Sequence, residues 1–176
     1  MIYIVIALVA GGFTLFVPMS VWQRYSGWLL VFAFVILTLV LIPGIGREVN
    51  GSRRWIGVGI FNIQPTELAK LFMVIFIAGF LVRRKDEVKQ RLRGLLKPLA
   101  VAAAMAFLIY SEPDFGAMVV MLGSVVVMLY LGGVRLLLSV PLLGVMLAGL
   151  VYVVRFESYR MARLTSFTNP WEDQYG

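Results

Sequence analysis

The chain has 176 residues, 61% of them hydrophobic and 14% charged, and its mean hydropathy of +0.92 is far above that of soluble globular domains. The sequence contains neither Cys nor His, which excludes a disulfide framework, a Cys/His zinc site and Ser-His or Cys-His catalysis. In so apolar a chain, the net charge of +7 indicates anchoring beside anionic lipid headgroups rather than nucleic-acid binding. We therefore expect an integral membrane protein with no nucleic-acid partner.

Six apolar segments follow one another along the chain, each close to the roughly 20 residues that cross about 30 Å of hydrocarbon as a helix. They predict an all-α, polytopic helical membrane protein, with residues 1–154 forming one transmembrane helical domain. The first segment is interpreted as a span rather than a signal peptide, because more spans follow and no small-residue cleavage site is evident. The predicted spans are 2–17, 28–42, 65–82, 95–110, 115–131 and 136–154.

The densest Lys/Arg cluster, "RRKDEVKQRLRGLLK", lies between the third and fourth predicted spans. The positive-inside rule places this segment in the cytoplasm, and the other loops follow by alternation. "PMSVWQRYSG" and "GGVR" are then cytoplasmic loops, whereas residues 43–64, "SEPD" and residues 155–176 lie outside. We expect residues 155–176 to be the start of a large extracytoplasmic loop.

Six arginines lie on the outer side in this topology, where the positive-inside rule predicts few. One explanation is that short loops tolerate some Arg, whose long stem reaches the interface. The other is that several guanidinium groups face one outer-leaflet cavity and bind phosphate oxygens. Taken together, the six arginines favour the second explanation, with a polyanionic or lipid-phosphate ligand. The six are Arg47, Arg53, Arg54, Arg155, Arg160 and Arg163.

The segment "NIQPTELAK" has the pattern of a helix start, with Pro65 at the first helical position and Glu67 in the first turn. Lys70 lies roughly 4–5 Å deeper, on the same face as Glu67 and Gln64. A lysine inside a span costs at least about 2–3 kcal/mol and needs a partner or a wet cavity. An ion pair with Glu67 and a functional polar cavity are both open explanations.

Two further outer segments carry local signals. Asn50-Gly51 in "VNGSRRW" predicts a turn, because this pair readily adopts positive φ. Glu112 and Asp114 flank Pro113 at an outer helix break, and two carboxylates so close are typical of an acid/base or cation site. Solvated loop acids are the competing explanation, and spacing alone does not decide between them.

Four motifs in order resemble the SEDS (shape, elongation, division and sporulation) family of membrane glycosyltransferases. They are "VNGSRRWI", "QPTELAK", "EPDFG" and "YRMARLTSFTNPWEDQYG", and the resemblance covers essentially all 176 residues. The segments "PMSVWQRYSG", "LIPGIGREVNG" and "LVRRKDEVKQRLRGLLKP" are most similar to the cell-division members of the family in Gram-negative bacteria.

The resemblance implies a fold of ten transmembrane helices in the bacterial cytoplasmic membrane. Such proteins polymerise lipid II, an undecaprenyl diphosphate-linked disaccharide-pentapeptide, into peptidoglycan glycan strands on the outer face of that membrane. The division members do so at the septum with a class B penicillin-binding transpeptidase and other divisome proteins. The six predicted spans would be the second to seventh helices, in a fragment without the first helix and the C-terminal part.

The resemblance also implies where the functional residues lie. The family's proposed catalytic Asp belongs to a His-Thr-Asp-Phe motif, which we expect beyond Gly176, so no catalytic residue is assigned here and this segment alone should be inactive. A divalent cation, Mg²⁺ or Mn²⁺, is possible by resemblance, without assigned ligands. The expected substrate-binding residues are Arg54, Gln64, Glu67, Lys70, Asp114, Arg160 and Arg163.

One position departs from the family pattern. The family usually has Gln-Pro-Asp where this chain has Glu112-Pro113-Asp114. The added negative charge beside a diphosphate site would be tolerable if a divalent cation lay between the two.

Two other functions remain open. A lipid II flippase would use the same intramembrane charges, and a divisome interaction scaffold would use the small residues at 100–106 for close helix packing.

Overall fold

The computed structural model describes residues 2–49, 52–58, 61–90, 92–134, 141, 144, 148 and 149. The chain divides into two units, Met1–Val134 and Arg135–Gly176, and the elements described below lie in the first. Apart from four isolated positions, the predicted span 136–154 lies outside the described residues, as do residues 155–176 with Arg155, Arg160 and Arg163.

Six helices and three strands make up the described part of the chain. Five of the predicted spans coincide with helices, and three helical segments, Met19–Leu41, Pro65–Arg83 and Gly94–Ser111, are long and apolar enough to cross a membrane. In chain order the elements are α1 (Ile2–Phe16), α2 (Met19–Leu41), β1 (Gly46–Val49), β2 (Ser52–Val58), β3 (Phe61–Ile63), α3 (Pro65–Arg83), α4 (Lys85–Gln90), α5 (Leu92–Ser111) and α6 (Phe115–Leu131).

The first cytoplasmic loop, predicted over residues 18–27, is helical instead. Pro18 occupies the N-cap position and α2 begins at Met19, so that the helix runs for 23 residues. At 1.5 Å per residue this is about 34 Å, slightly more than the hydrocarbon thickness of about 30 Å. The prediction followed the apolar run and started the helix at Trp28, whereas the helix also includes the more polar residues from Met19 onwards.

The prediction of an all-α chain is wrong for the segment between α2 and α3, which forms an antiparallel sheet in the order β1-β2-β3. Val49 pairs with Ser52, the register that a two-residue connection by Asn50-Gly51 requires. These two residues lie outside the described part. The aromatic Trp55 and the β-branched Ile56 and Val58 favour a strand in this segment.

The helices pack through narrow stripes of buried side chains. The closest pairing is between α2 and α3, while α6 packs against α3 and α5. Many of the exposed side chains on the longer helices are apolar, as expected for surfaces that contact lipid. The facing stripes have helical spacing and consist of Leu30, Ala33, Leu37 and Val40 on α2 with Ala69, Met73, Ile77 and Phe80 on α3.

Two sets of hydrogen bonds define the two ends of the helix group. At one end Arg83 Nη1 donates to the carbonyl oxygen of Gln23, at 3.0 Å, and joins the end of α3 to the first turns of α2. At the other end the side chain of Gln64 contacts Asp114, so the sheet side of α3 and the turn between α5 and α6 lie together. The loops therefore alternate between the ends as the sequence predicted.

We expect Gly46→Ala to weaken the attachment of the sheet to α2. A Cβ at Gly46 would overlap the backbone carbonyl oxygen of Val40, which cannot move aside as a side chain can. The cost should be about 1–3 kcal/mol in the free energy of unfolding. Gly123→Ala is the matched control, because a Cβ there meets nothing within 4 Å and Ala is the better helix former. Denaturant unfolding in detergent micelles measures both, and equal stability of the two variants would contradict the prediction.

Candidate functional site

Asp114 lies at the centre of a polar cluster where the sheet meets the starts of α3 and α6. It is the N-cap residue of α6, and its Oδ1 accepts a hydrogen bond from the backbone N–H of Ala117 at 3.2 Å. The residue is only 8% exposed. A buried carboxylate needs hydrogen bonds or opposite charge to offset its lost hydration, and the neighbouring elements supply both.

The start of α3 supplies the hydrogen bonds to the other oxygen. Gln64 is the N-cap residue of α3, but its side chain makes no cap hydrogen bond. Instead Gln64 Nε2 donates to Asp114 Oδ2 at 2.9 Å, and Thr66 Oγ1 lies 3.5 Å from the same oxygen. Pro65 occupies the first helical position, as predicted.

Arg54 brings positive charge to the cluster from β2. The pairing of β1 with β2 shifts register between Arg47 and Glu48, since Glu48 pairs with Arg53 and Arg47 with Trp55. Arg54 is therefore the extra residue of a β-bulge, a distortion that redirects a side chain. Its Nη1 lies 3.9 Å from Asp114 Oδ1 in an ion pair, and the Arg54 side chain remains 30% exposed. We name Arg54, Gln64, Thr66 and Asp114 the Asp114 cluster.

Glu112 lies beside the Asp114 cluster in the turn between α5 and α6. It is 0% exposed, and neither carboxylate oxygen has a hydrogen-bond partner among the described residues. Burial, reinforced by the nearby Asp114 charge and opposed by Arg54, raises the pKa of Glu112 to about 8. The alternative of solvated loop acids is thus wrong for both Glu112 and Asp114.

Glu67 and Lys70 pair with each other. Lys70 Nζ donates to Glu67 Oε1 at 2.8 Å, and the Lys70 side chain is 22% exposed. The ion-pair explanation for this lysine is therefore confirmed. A role of the pair in binding substrate stays a prediction.

The structure thus joins three of the predicted substrate-binding residues, Arg54, Gln64 and Asp114. Sequence reasoning missed Thr66, although a hydroxyl directly after the helix-starting proline could have suggested it. Arg47, another of the arginines predicted on the outer side, joins β1 to β3, since its Nη1 donates to Asn62 Oδ1 at 3.3 Å. The predicted Arg160 and Arg163 lie outside the described residues.

The described side chains of this cluster do not by themselves fit a divalent cation site. No group of three or more His, Cys, Asp or Glu side chains comes together within the part that the structure describes. Both oxygens of Asp114 already face donors, and Glu112 offers one further carboxylate. A site for Mg²⁺ or Mn²⁺ commonly combines carboxylates with water and substrate phosphates. The Mg²⁺ or Mn²⁺ therefore stays a prediction.

Solved structures resemble the chain in fold. Superposition on the Thermus thermophilus rod shape determining protein RodA gives a TM-score of 0.69 at 27% identity, covering 80% of this chain and 44% of that one. A structure titled "Structural coordination of polymerization and crosslinking by a peptidoglycan synthase complex" gives a TM-score of 0.68 at 25% identity, covering 94% of this chain and 48% of that one.

Sequence relatives extend over the whole chain. A protein of Pseudomonas fluorescens named probable peptidoglycan glycosyltransferase FtsW is 49% identical over 176 residues, which are 100% of this chain and 43% of the relative. A protein of the same name from Escherichia coli O157:H7 is 40% identical over 175 residues, 99% of this chain and 42% of the relative. The chain thus spans less than half the length of these relatives. The cell cycle protein family of FtsW, RodA and SpoVE matches residues 1–176, and the chain belongs to this family.

Proposed function

We propose that the whole protein is a membrane glycosyltransferase that polymerises lipid II into peptidoglycan glycan strands during septal cell-wall synthesis. The observation that carries the proposal is the 49% identity over all 176 residues to a relative named probable peptidoglycan glycosyltransferase. The Asp114 cluster supports it, because it holds an arginine at the end of the helices where a diphosphate would need stabilisation.

The proposed location is the bacterial cytoplasmic membrane, in a multi-pass arrangement at the division septum. Three helices are long and apolar enough to span, and the basic segment around α4 follows α3 at the end away from the sheet. The positive-inside rule then directs α4 to the cytoplasm and the sheet with the Asp114 cluster to the outer leaflet. This is the side on which strands of cell wall are made.

In the proposed reaction, a sugar hydroxyl forms a bond to the anomeric carbon of a second lipid II as the bond to its diphosphate breaks. The hydroxyl proton passes to a base outside the described residues, and the diphosphate leaves with added negative charge. Arg54 is placed to stabilise that charge, which preorganised cations do strongly where water is excluded. Asp114 and the β-bulge position Arg54 for this task, and Gln64 holds Asp114.

Partners follow from the same proposal. We expect the whole protein to act with a class B penicillin-binding transpeptidase and other divisome proteins. The solved structure of similar fold whose title concerns polymerisation and crosslinking by a peptidoglycan synthase complex supports such a pairing. Lipid II is the proposed substrate.

The family usually has Gln where this chain has Glu112. The raised pKa of Glu112 makes this difference compatible with a diphosphate site. With a pKa of about 8 the carboxyl group is mostly protonated at pH 7. A protonated Glu has nearly the shape of Gln and carries no charge. The position then resembles the family's usual Gln, and no cation is needed to offset a charge.

We expect Lys70→Met to insert normally but to abolish polymerisation by the whole protein, because Glu67 would lose its partner at the outer end of α3. Purified protein is supplied with lipid II in detergent, and glycan strands are separated by gel. Lys85→Met removes the same charge on α4, at the other end of α3, and should retain activity.

Lipid II in detergent is already accessible, so a flippase alone would form no glycosidic bond. Absence of strands with the wild-type protein would contradict the glycosyltransferase proposal. Normal strand synthesis by Lys70→Met would contradict only the role of Lys70.

Asp114→Asn should lower the polymerisation rate at least about tenfold while the protein stays folded. Asn caps helices as well as Asp does, but it carries no charge to hold Arg54. The rate is measured at saturating and limiting lipid II, together with the melting temperature. Asp86→Asn on α4 is the control. An unchanged rate in Asp114→Asn would show that the ion pair with Arg54 is dispensable.

Glu112→Gln should make stability less dependent on pH. The folded-state pKa of Glu112 is raised from 4.5 to about 8, so the folded protein holds more protons than the unfolded chain between these values. Stability should therefore fall as pH rises through this window, and Glu112→Gln should remove that fall. Thermal unfolding from pH 5 to 9 measures the slopes. Parallel slopes in the two proteins would contradict the raised pKa.

A further inference from the structure

A cavity of about 780 Å³ lies at the end of the helices opposite the Asp114 cluster, between the first turns of α2 and the end of α3. Two arginines line it, Arg24 on α2 and Arg83 on α3, and none of its lining residues in the described part of the chain is acidic. We name it the Arg24–Arg83 cavity. Neither the proposed reaction nor the predicted substrate-binding residues use it.

The arginine from α3 is held in place by α2. Arg83 Nη1 donates to the Gln23 carbonyl oxygen at 3.0 Å and lies 3.3 Å from Ser26 Oγ, which is also 3.4 Å from Nη2. Ser26 is only 1% exposed and donates to the Gln23 carbonyl oxygen. Gly79 lies against Arg83 and Ser26, and a side chain there would press on both. The guanidinium group is therefore oriented before any ligand arrives, which lowers the entropic cost of binding.

The cavity continues into an apolar groove along the same face of α2. The groove has a volume of about 490 Å³ and is lined by Val31, Phe34, Val35, Thr38 and Leu39, and Val31 also lines the Arg24–Arg83 cavity. These positions recur every three or four residues, as one face of a helix requires. A cationic compartment thus leads into an apolar one running toward the middle of the predicted span.

The geometry points to a binding site for an anionic glycerophospholipid of the cytoplasmic leaflet, with its phosphate between Arg24 and Arg83 and an acyl chain along the groove. Guanidinium groups bind phosphate oxygens in a paired arrangement, and Trp28, which also lines the cavity, is a residue type enriched at the headgroup level. The assignment to the cytoplasmic leaflet rests on the orientation in the proposed function. The lipid would join α2 and α3 at the end where Arg83 already joins them.

Native mass spectrometry of the whole protein, taken from nanodiscs with equal phosphatidylglycerol and phosphatidylcholine, tests the site. The wild type should retain phosphatidylglycerol in preference, and Arg24→Gln should lower that preference about fivefold, as expected for one arginine at a lipid surface. Arg24→Gln is the primary variant, because replacing Arg83 would also remove its hydrogen bond to α2. Arg84→Gln is the matched control, since Arg84 follows Arg83 in the sequence but forms an ion pair with Glu87 and is not among the residues that line the cavity. An equal loss in Arg84→Gln, or no loss in Arg24→Gln, would overturn the site.

A second variant tests the groove without changing charge. Val31→Trp should fill the junction of cavity and groove and reduce the amount of retained phosphatidylglycerol several-fold. Val127→Trp changes a similarly exposed valine on α6 and should have no effect. Equal retention in Val31→Trp and wild type would overturn the acyl-chain assignment.

A third measurement tests whether the bound phosphate group belongs to a glycerophospholipid or to an undecaprenyl lipid. Undecaprenyl phosphate is added at the concentration of phosphatidylglycerol, and retention of phosphatidylglycerol would support a glycerophospholipid site. Complete displacement would overturn that assignment. These measurements need no glycan synthesis, so the lipid site and the proposed glycosyltransferase activity can fail independently.

Discussion

The carboxylate of Asp114 is the group on which the sheet end of the described structure depends. Its two oxygens contact three elements. One oxygen caps α6 and faces Arg54 of β2, and the other accepts a hydrogen bond from the side chain of Gln64 at the start of α3. A carboxylate that is 8% exposed cannot be left without such partners. The charge therefore fixes the relative positions of two helix starts and a strand, which apolar packing alone would leave free to slide.

At each end of the helix group, one charged side chain is held by hydrogen bonds to neighbouring elements, and the two charges have opposite sign. At the sheet end the anionic Asp114 accepts hydrogen bonds, whereas at the other end the cationic Arg83 contacts the oxygens of Gln23 and Ser26. Between the two ends, small and apolar residues are buried on α2 and α3, including Ala33, Ala69 and Gly79. Lipid is as apolar as these residues, so the hydrogen bonds of Arg83 to α2 carry much of the specificity of this pairing.

Much of this arrangement could be predicted from the sequence because membrane helices have a strong compositional signal. The apolar runs located five spans, and Pro65 marked the start of α3. The start of α2 was missed because a helix does not end where its hydrophobicity ends. The sheet was missed because its short strands lie in a segment where charges and glycines indicated only a loop. The register shift beside Arg54 depends on strand pairing, which no local pattern encodes.

The Asp114 cluster could also be predicted only in part. Arg54, Gln64 and Asp114 could be selected as polar residues on one side of the membrane, but their contacts could not be predicted. The burial of Glu112 was also beyond local sequence reasoning, since a turn with two acids normally faces water. Its raised pKa depends on burial and on the charge of Asp114, which outweigh the opposing charge of Arg54. Such properties arise only when distant segments meet.

The sequence separation within the cluster sets an order for its assembly during synthesis. Gln64 and Asp114 are 50 positions apart, and all of α3, α4 and α5 lies between them. When the sheet leaves the ribosome, its pairing partners are already present, but the carboxylate that will hold Arg54 has not yet been made. The cluster can form only after α5 has been made and the chain has returned to the end that holds the sheet. A nascent chain that stalls before Asp114 would therefore carry a sheet attached to α2, with Arg54 still without the carboxylate that later pairs with it.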